Sequence, residues 1–329
     1  MARVTIKDVA HEAGVSQTTV SFVLNGRDNG IPERTRDLVM KAAARLNYVP
    51  SAAARTLRSG HSSLVLCLVP PLPVAQATEE FKNHLSGVIA EAGFTCVFAQ
   101  LTDPSRPSLD IWRHVHPVGV ITLASLPTAD STALAQAGIP LVDAAQERER
   151  PEDGVLDQAG IGALLVEHLV ERGHRRIGFA KLSDPLEFPF VEARLDGVRR
   201  ACHVHDLPQP VVADLSYTRV SALAALEKWR AEAAGVTAVA AFNDMAAVAI
   251  MTSCHATGVR VPDDLALIGV DDLPISSLME PALSTIALDL RGSARRLANR
   301  LLAQLPGAKK LASSTYDVAP MRLIHRGTS

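Results

Sequence analysis

The sequence predicts a small all-α domain followed by an α/β core of two doubly wound parallel-sheet lobes. Three observations predict it. The first sixty residues carry short amphipathic helical patterns separated by breaker residues. From Ser63 onward, short apolar runs alternate with longer amphipathic ones. Charge is also unevenly divided: residues 1–60 hold nine Lys/Arg against five Asp/Glu, and the rest hold 24 against 30. A basic head on an acidic body points to a polyanionic partner for the head. The 329 residues admit two or three domains, each able to bury its own core.

The stretch KDVAHEAGVSQTTVSFVLNG, residues 7–26, reads as two helices around a four-residue break. Thr5 begins the first, and Asp8 three residues on approximates a capping box. Ile6, Val9, Ala10 and Ala13 share one apolar face. Gly14 sits where a left-handed C-cap belongs, and Ser16 is a good N-cap for the second helix. Val20 and Leu24 point back to the first helix, leaving Gln17, Thr18, Ser21, Phe22 and Asn25 outside. That outer face has no charged residue, unlike an ordinary solvated face. Short neutral donors, acceptors and one ring suit contact with base edges. A third helix follows from about Pro32, with Leu38, Ala42 and Leu46 on one face. Three such helices make a minimal helix-turn-helix domain, assigned to residues 1–49.

Pro50 breaks the third helix, and residues 50–61 form a hinge helix or linker. Ser51 can cap a short helix ending near Gly60, marginal by itself. Ala54 and Leu57 share a face flanked by Arg55 and Arg58. The pattern fits an apolar wedge for a minor groove, or a plain linker.

Residues 4–60 resemble the DNA-binding headpiece of the lac/galactose repressor (LacI) family of bacterial transcriptional regulators, through TIKDVAHEAGVSQTTVSFVLNG and IPERTRDLVMKAAARLNYVPSAAARTL. The resemblance implies that Gln17 and Thr18 read bases in the major groove, and that Leu57 from each of two hinge helices enters the minor groove. It places the DNA-binding set at Thr5, Ser16, Gln17, Thr18, Thr19, Ser21, Phe22, Asn25, Ala54 and Leu57. Two residues depart from the pattern. Phe22 stands where Arg is frequent, and Phe can touch a thymine methyl but cannot grip guanine bidentately. Ser51 stands where Asn is common; both cap helices.

In residues 62–329, buried-strand patterns occupy 63–69, 95–101, 118–124, 139–144, 176–182, 236–242 and 265–271. Helical patterns occupy roughly 77–92, 158–172, 191–204, 218–233 and 244–257. Strand–helix repetition means parallel sheets covered on both faces, and two such sets mean two lobes. The stretches VEHLVERGHRRIGF (166–179), AFNDMAAVAI and GVRVPDDLALIGVDDLPISSLMEPALSTI (258–286) resemble the same family's periplasmic-binding-protein-like effector core. That likeness implies lobe crossings near 158, 288 and 318. The N-lobe then spans about 62–157 and 289–318, the C-lobe about 158–288 and 319–329.

Ligands of such sheets bind beyond the strand C-termini. Asp143, Ser183, Asp184, Asn243, Asp244 and Asp271 sit at such ends. The resemblance adds Arg194, in EARLDG, as an effector contact and maps Asp271 to the cleft. The effector-binding set is Asp143, Ser183, Phe188, Phe190, Arg194, Phe242, Asn243 and Asp271. Asp157 and Asn243 are also suited to capping helices. After the first strand this chain has PPLPVAQATEEF (70–81), where relatives carry Asn and aromatic residues. Phe188 and Phe190 in DPLEFPF (184–190) are candidates to replace them.

An enzyme reading finds little support. Gly160-x-Gly162 lacks the third glycine of a dinucleotide fingerprint, and there is no phosphate-binding P-loop, nucleophile elbow or metalloprotease histidine pair. A solute-uptake protein would lack the head and carry an export signal, and none is evident. Cys67, Cys96, Cys202 and Cys254 are far apart, without a C-x-x-C pair, and read as buried thiols in a reducing compartment. No long uncharged apolar run predicts a membrane span. The expectation is a cytoplasmic homodimeric repressor, without cofactor or metal, that binds a near-palindromic double-stranded operator. A carbohydrate is the leading effector class, a nucleobase the second. The C-terminal MRLIHRGTS carries no heptad pattern for a tetramer-forming coiled coil.

Overall fold

The computed structural model describes residues 4–24, 30–48, 62–69, 76–101, 109–123, 126–144, 157–183, 188–231, 235–305, 308 and 321–329. The chain divides into two compact units, Met1–Ser63 and Leu64–Ser329.

The first unit holds α1 (Ile6–Ala13), α2 (Gln17–Leu24) and α3 (Glu33–Arg45). Thr5 caps α1 in an extended conformation, its N–H donating to Asp8 Oδ2 at 2.7 Å. Gly14 adopts φ +65 and ends the helix, a left-handed conformation that costs glycine least. The core is built from small side chains: Val9, Ala10, Ala13, Val20, Val23, Val39, Ala42 and Ala43. Their size lets three short helices approach closely. Two expected inward positions differ. Val23 is buried where Leu24 was expected, and Leu24 is half-buried. In α3 the buried stripe is Val39, Ala42 and Ala43, at i, i+3, i+4, while Leu38 is 44% exposed. The two alanines join the core with α1 and α2 with less bulk than a leucine stripe would bring.

The second unit contains two sheets. The first orders its strands β2 (Thr95–Gln100), β1 (Leu64–Val69), β3 (Gly119–Thr122) and β4 (Leu141–Asp143), all parallel. One face packs on α4 (Gln76–Glu91) through Leu85, Val88 and Ile89. The other packs on α5 (Leu109–Val115) and α6 (Thr128–Gln136), through Ile111, Trp112 and Leu134.

The second sheet includes β5 (Ile177–Leu182), β6 (Val211–Leu215), β7 (Ala238–Ala241), β8 (Ala266–Val270) and β9 (Ser284–Leu288). An edge strand, β10 (Met321–Ile324), pairs antiparallel with β9, and the order is β10-β9-β8-β7-β5-β6. Helices α7 (Gln158–Glu171) and α8 (Phe188–Val204) cover one face, and α9 (Arg219–Ala231) and α10 (Asp244–Thr257) the other. A short α11 (Pro274–Leu278) follows β8. After β9, α12 (Leu290–Leu302) returns to the first sheet, burying Ala294, Leu297, Ala298 and Leu301 beside Val65 and Cys67. Two strands within continuous apolar runs, β7 and β8, are buried throughout, as double coverage demands.

Gly162 in α7 is not part of a ligand loop. A Cβ there would collide with the Arg194 carbonyl of α8, and one on Gly197 of α8 would collide with the Ala159 carbonyl. Both glycines exist so that two helices can touch backbone to backbone.

β6, β9, β10, α5, α6, α11 and α12 were not among the expected elements. They are short, or carry charges such as Asp214 and Arg322 that break an apolar run. Tertiary pairing overrides their weak local signal.

Candidate nucleic-acid interface and effector site

In the headpiece, Ser16, Gln17 and Thr18 are exposed, and Thr19, Ser21 and Phe22 are half-buried. Ser16 Oγ accepts from the Thr19 N–H at 3.1 Å and lies 2.9 Å from Thr19 Oγ1. Two hydroxyls of the expected DNA-binding set are therefore engaged in starting α2. Gln17 and Thr18, with polar ends in solvent, form its most accessible part. The exposed Thr5 donates its hydroxyl to Asp8 Oδ2 at 2.7 Å, and this bond, with that from the Thr5 N–H, holds the Asp8 carboxyl below its ordinary range. Asn25, Ala54 and Leu57 lie outside the described residues.

In the larger unit, five of the expected effector residues, Asp143, Ser183, Phe242, Asn243 and Asp271, sit at or just past strand C-termini, whereas Arg194, Phe188 and Phe190 lie on α8. Asp143 closes β4 and is buried at 8% exposure. Ser183 follows β5 and is exposed; Phe242 and Asn243 follow β7; Asp271 follows β8. Asp271 is half-buried and adopts φ +111, strained for any residue but glycine.

The end of β7 is tied to two helices and to the segment past β6. Arg194, only 4% exposed, donates Nε to Gln158 Oε1 at 3.1 Å and Nη2 to the same oxygen at 2.5 Å. Its Nη1 donates to the Phe242 carbonyl, and its guanidinium lies 4.3 Å from the Phe242 ring centroid. Asn243 Oδ1 accepts from the Ala246 N–H at 2.9 Å, capping α10, while its Nδ2 donates to Tyr217 Oη at 2.7 Å. Asn243 thus caps a helix and presents an amide among the strand ends at once. Asp157 caps α7 through the Gly160 N–H at 2.9 Å.

Asp244 differs from the expectation of a strand-end polar contact. It is fully buried, and its carboxylate accepts from the Leu273 N–H (2.8 Å), Ser276 Oγ (2.6 Å) and Thr285 Oγ1 (2.6 Å). Burial pushes its carboxyl above the usual range, and the Ser276 and Thr285 hydroxyls oppose that shift. Asp244 braces the turn that carries Asp271. Arg326 braces the same turn from the other side, donating Nη2 to Asp272 Oδ1 at 2.6 Å and Nη1 to the Leu283 carbonyl at 2.8 Å.

The aromatic pair is placed differently from the loop implied by DPLEFPF. α8 starts at Phe188, with Pro189 in its first turn, where a missing N–H costs nothing. Phe190 is half-buried and packs on the core around Val191 and Leu195; the Phe188 side chain and Asp184 lie outside the described residues. Sequence reasoning missed Tyr217 and Gln158. Tyr217 is 45% exposed two residues past β6, and its strand-end position became visible only with that strand. Gln158 opens a helix and gives no local signal.

Among the described residues, no cluster of His, Cys, Asp or Glu could hold a metal, and no helix is long and apolar enough to cross a membrane. Comparison with known proteins bears on both units. Residues 5–51 match the model of bacterial regulatory proteins of the lacI family, and residues 166–329 match a periplasmic binding protein-like domain. The transcriptional regulator CelR of Thermobifida fusca is 31% identical over 318 residues, 93% of each chain. The transcriptional repressor PurR of Vibrio parahaemolyticus is 30% identical over 295 residues, 86% of each. The lac repressor dimer bound to operator and an anti-inducer superposes with a TM-score of 0.78 at 25% identity over 99% of each chain. A CelR–cellobiose complex gives 0.62 at 25% identity, covering 99% of this chain. The chain belongs to the LacI family of transcriptional regulators, with a helix-turn-helix DNA-binding domain and a two-lobed ligand-binding core.

Proposed function

We propose that this protein is a homodimeric repressor that reads a near-palindromic operator with α2 and is modulated by a carbohydrate held at the strand ends of its core. The uncharged, exposed Gln17–Thr18 face of α2 is the observation that carries the reading. An amide side chain can bond adenine bidentately, and a threonine methyl and hydroxyl suit either base edges or a thymine methyl. Two such faces need twofold symmetry, hence a dimer and half-sites one helical turn apart. Exposed apolar side chains support self-association: Leu278 at 80%, Ile275 at 40% and Met245 at 42% lie on α11 and the adjoining start of α10. Leu57 and Ala54 are assigned the minor-groove wedge from sequence alone.

For the effector, Asp143, Ser183, Asn243 and Asp271 offer donors and acceptors suited to vicinal hydroxyls, and Arg194, Phe242 and Phe190 form the scaffold beneath. The solved CelR–cellobiose complex supports a sugar as the class. Binding there changes DNA affinity by the same factor that DNA changes sugar affinity. The test is selection of bound sequences from a random duplex pool at stated salt, with sedimentation of the complex. An enriched palindrome with a central C·G step and a 2:1 protein–duplex ratio is expected. No enrichment, with or without a panel of mono- and disaccharides, overturns the reading; enrichment altered only by nucleobases replaces the sugar with a base.

A further inference from the structure

Cys67 and Cys96 are distant in sequence, and the fold brings them into contact. Cys67 lies on the inner strand β1 and Cys96 on the edge strand β2, both on the face covered by α4 and α12. Their Sγ atoms are 3.2 Å apart, and both thiols are free. Cys67 is fully buried, whereas Cys96 is half-buried on a strand that, among the described residues, pairs with β1 alone. Cys202 and Cys254 sit in two other clusters of the core, apart from this pair.

The two sulfurs have unequal surroundings. The thiolate is the reactive form of cysteine. A hydrogen bond from the Cys67 thiol lowers the Cys96 pKa below its ordinary value, and the same bond with burial pushes Cys67 well above. The more accessible sulfur is also the more easily ionised.

We propose that Cys67 and Cys96 form a peroxide-responsive dithiol site, with Cys96 as the reacting and Cys67 as the resolving cysteine. The oxidant is hydrogen peroxide or a small organic hydroperoxide. With hydrogen peroxide, the Cys96 thiolate attacks one oxygen and the O–O bond breaks. The sulfur loses two electrons and becomes a sulfenic acid, and the other oxygen leaves as hydroxide and is protonated to water. Cys67 sulfur then attacks Cys96 sulfur. The S–O bond breaks, the departing hydroxide takes the Cys67 proton, and a second water leaves. Two thiols and one peroxide give one disulfide and two waters.

The strand register determines what that bond would do. Cys96 is opposite Val65, and Cys67 is opposite Phe98, so the cysteines are diagonal neighbours. With strands roughly 4.8 Å apart and a rise of about 3.3 Å per residue, diagonal Cα atoms lie roughly 8 Å apart, beyond the ~7 Å that a disulfide spans without backbone movement. Closure therefore draws the edge strand along β1. A bond formed under that constraint is readily reduced again, as reversible disulfides are.

The experiment uses the reduced full-length protein, titrated with hydrogen peroxide, alkylated and mapped by mass spectrometry without reductant. The expected product is a Cys67–Cys96 linked peptide pair, about 2 Da lighter than the sum of its parts, lost on treatment with dithiothreitol. Cys202 and Cys254 remain reduced at that dose. Circular dichroism confirms that the oxidised protein stays folded. In Cys96→Ser, an isosteric change on an edge strand, Cys67 is expected to stay reduced at the same dose. Sulfinic acid at Cys96 without a linked peptide, or oxidation of Cys202 or Cys254 at the same dose, overturns the site. Oxidation of Cys67 in Cys96→Ser at the wild-type rate overturns the division of roles.

Discussion

At the residue scale, two side chains are expected to separate the protein's two tasks. Gln17 opens the first turn of α2 and is exposed. Gln17→Ala is expected to lose roughly 1–3 kcal/mol at one base position and relax specificity there. Affinities against a set of single-base operator variants check this; a uniform loss across all of them would make Gln17 a backbone contact. Asp244 is the opposite case, buried with three donors converging on it. Asp244→Asn replaces one acceptor oxygen by a donor and leaves a buried donor unmatched, which costs roughly 1–3 kcal/mol. Because this carboxylate braces the Asp271 turn, effector affinity is expected to fall with stability, while operator specificity stays unchanged. Thermal unfolding and calorimetric titration separate these effects.

At the element scale, the positions of side chains follow from how helices and strands are joined. The backbone contact between α7 and α8 seats Arg194 against Gln158 and the Phe242 carbonyl. Gly162→Ala puts a methyl group against the Arg194 carbonyl, so the helices must part. A destabilisation of roughly 1–3 kcal/mol is expected from such overpacking, with weakened effector binding, measured by denaturant unfolding and titration. This contact was invisible in the sequence, where Gly160-x-Gly162 only posed the question of a dinucleotide loop. By contrast, α1 and α2 were legible nearly to the residue. Their caps are local: Thr5, Gly14 and Ser16 act within three residues of the backbone groups they satisfy. The inward stripe of α3 was not legible, because 38, 42, 46 and 39, 42, 43 are both apolar and helical in spacing. Only packing against α1 and α2 selects between them.

At the scale of the whole molecule, the final residues lock the second sheet. Thr328 Oγ1 donates to the Leu267 carbonyl at 2.7 Å, and Ser329 Oγ lies 2.7 Å from His168 Nε2. Burial, with His325 and Arg172 nearby, pushes His168 down to about 4 from its ordinary 6.5. The folded state therefore binds fewer protons than the unfolded state between these values. Stability from this group is complete above about pH 6.5, falls as the pH drops through the window, and is lost near pH 4. Unfolding midpoints across pH 4–7 are expected to fall with pH, and to fall less steeply in His168→Gln. An equal slope in both proteins would assign the acid sensitivity elsewhere.

The sequence by itself determined the order of the two units, the caps and exposed polar face of the headpiece, the strands buried on both sides, and the residues that end them. Each is a local matter: a helix cap needs three residues, and a doubly covered strand needs one apolar run. The tertiary structure alone decided that Asp244 is a brace, that Asn243 caps α10 while reaching Tyr217, that α12 crosses to the first sheet, and that Cys67 meets Cys96. These depend on which strands become neighbours and in what register. That choice is made by the burial of whole faces, which no short window of sequence contains.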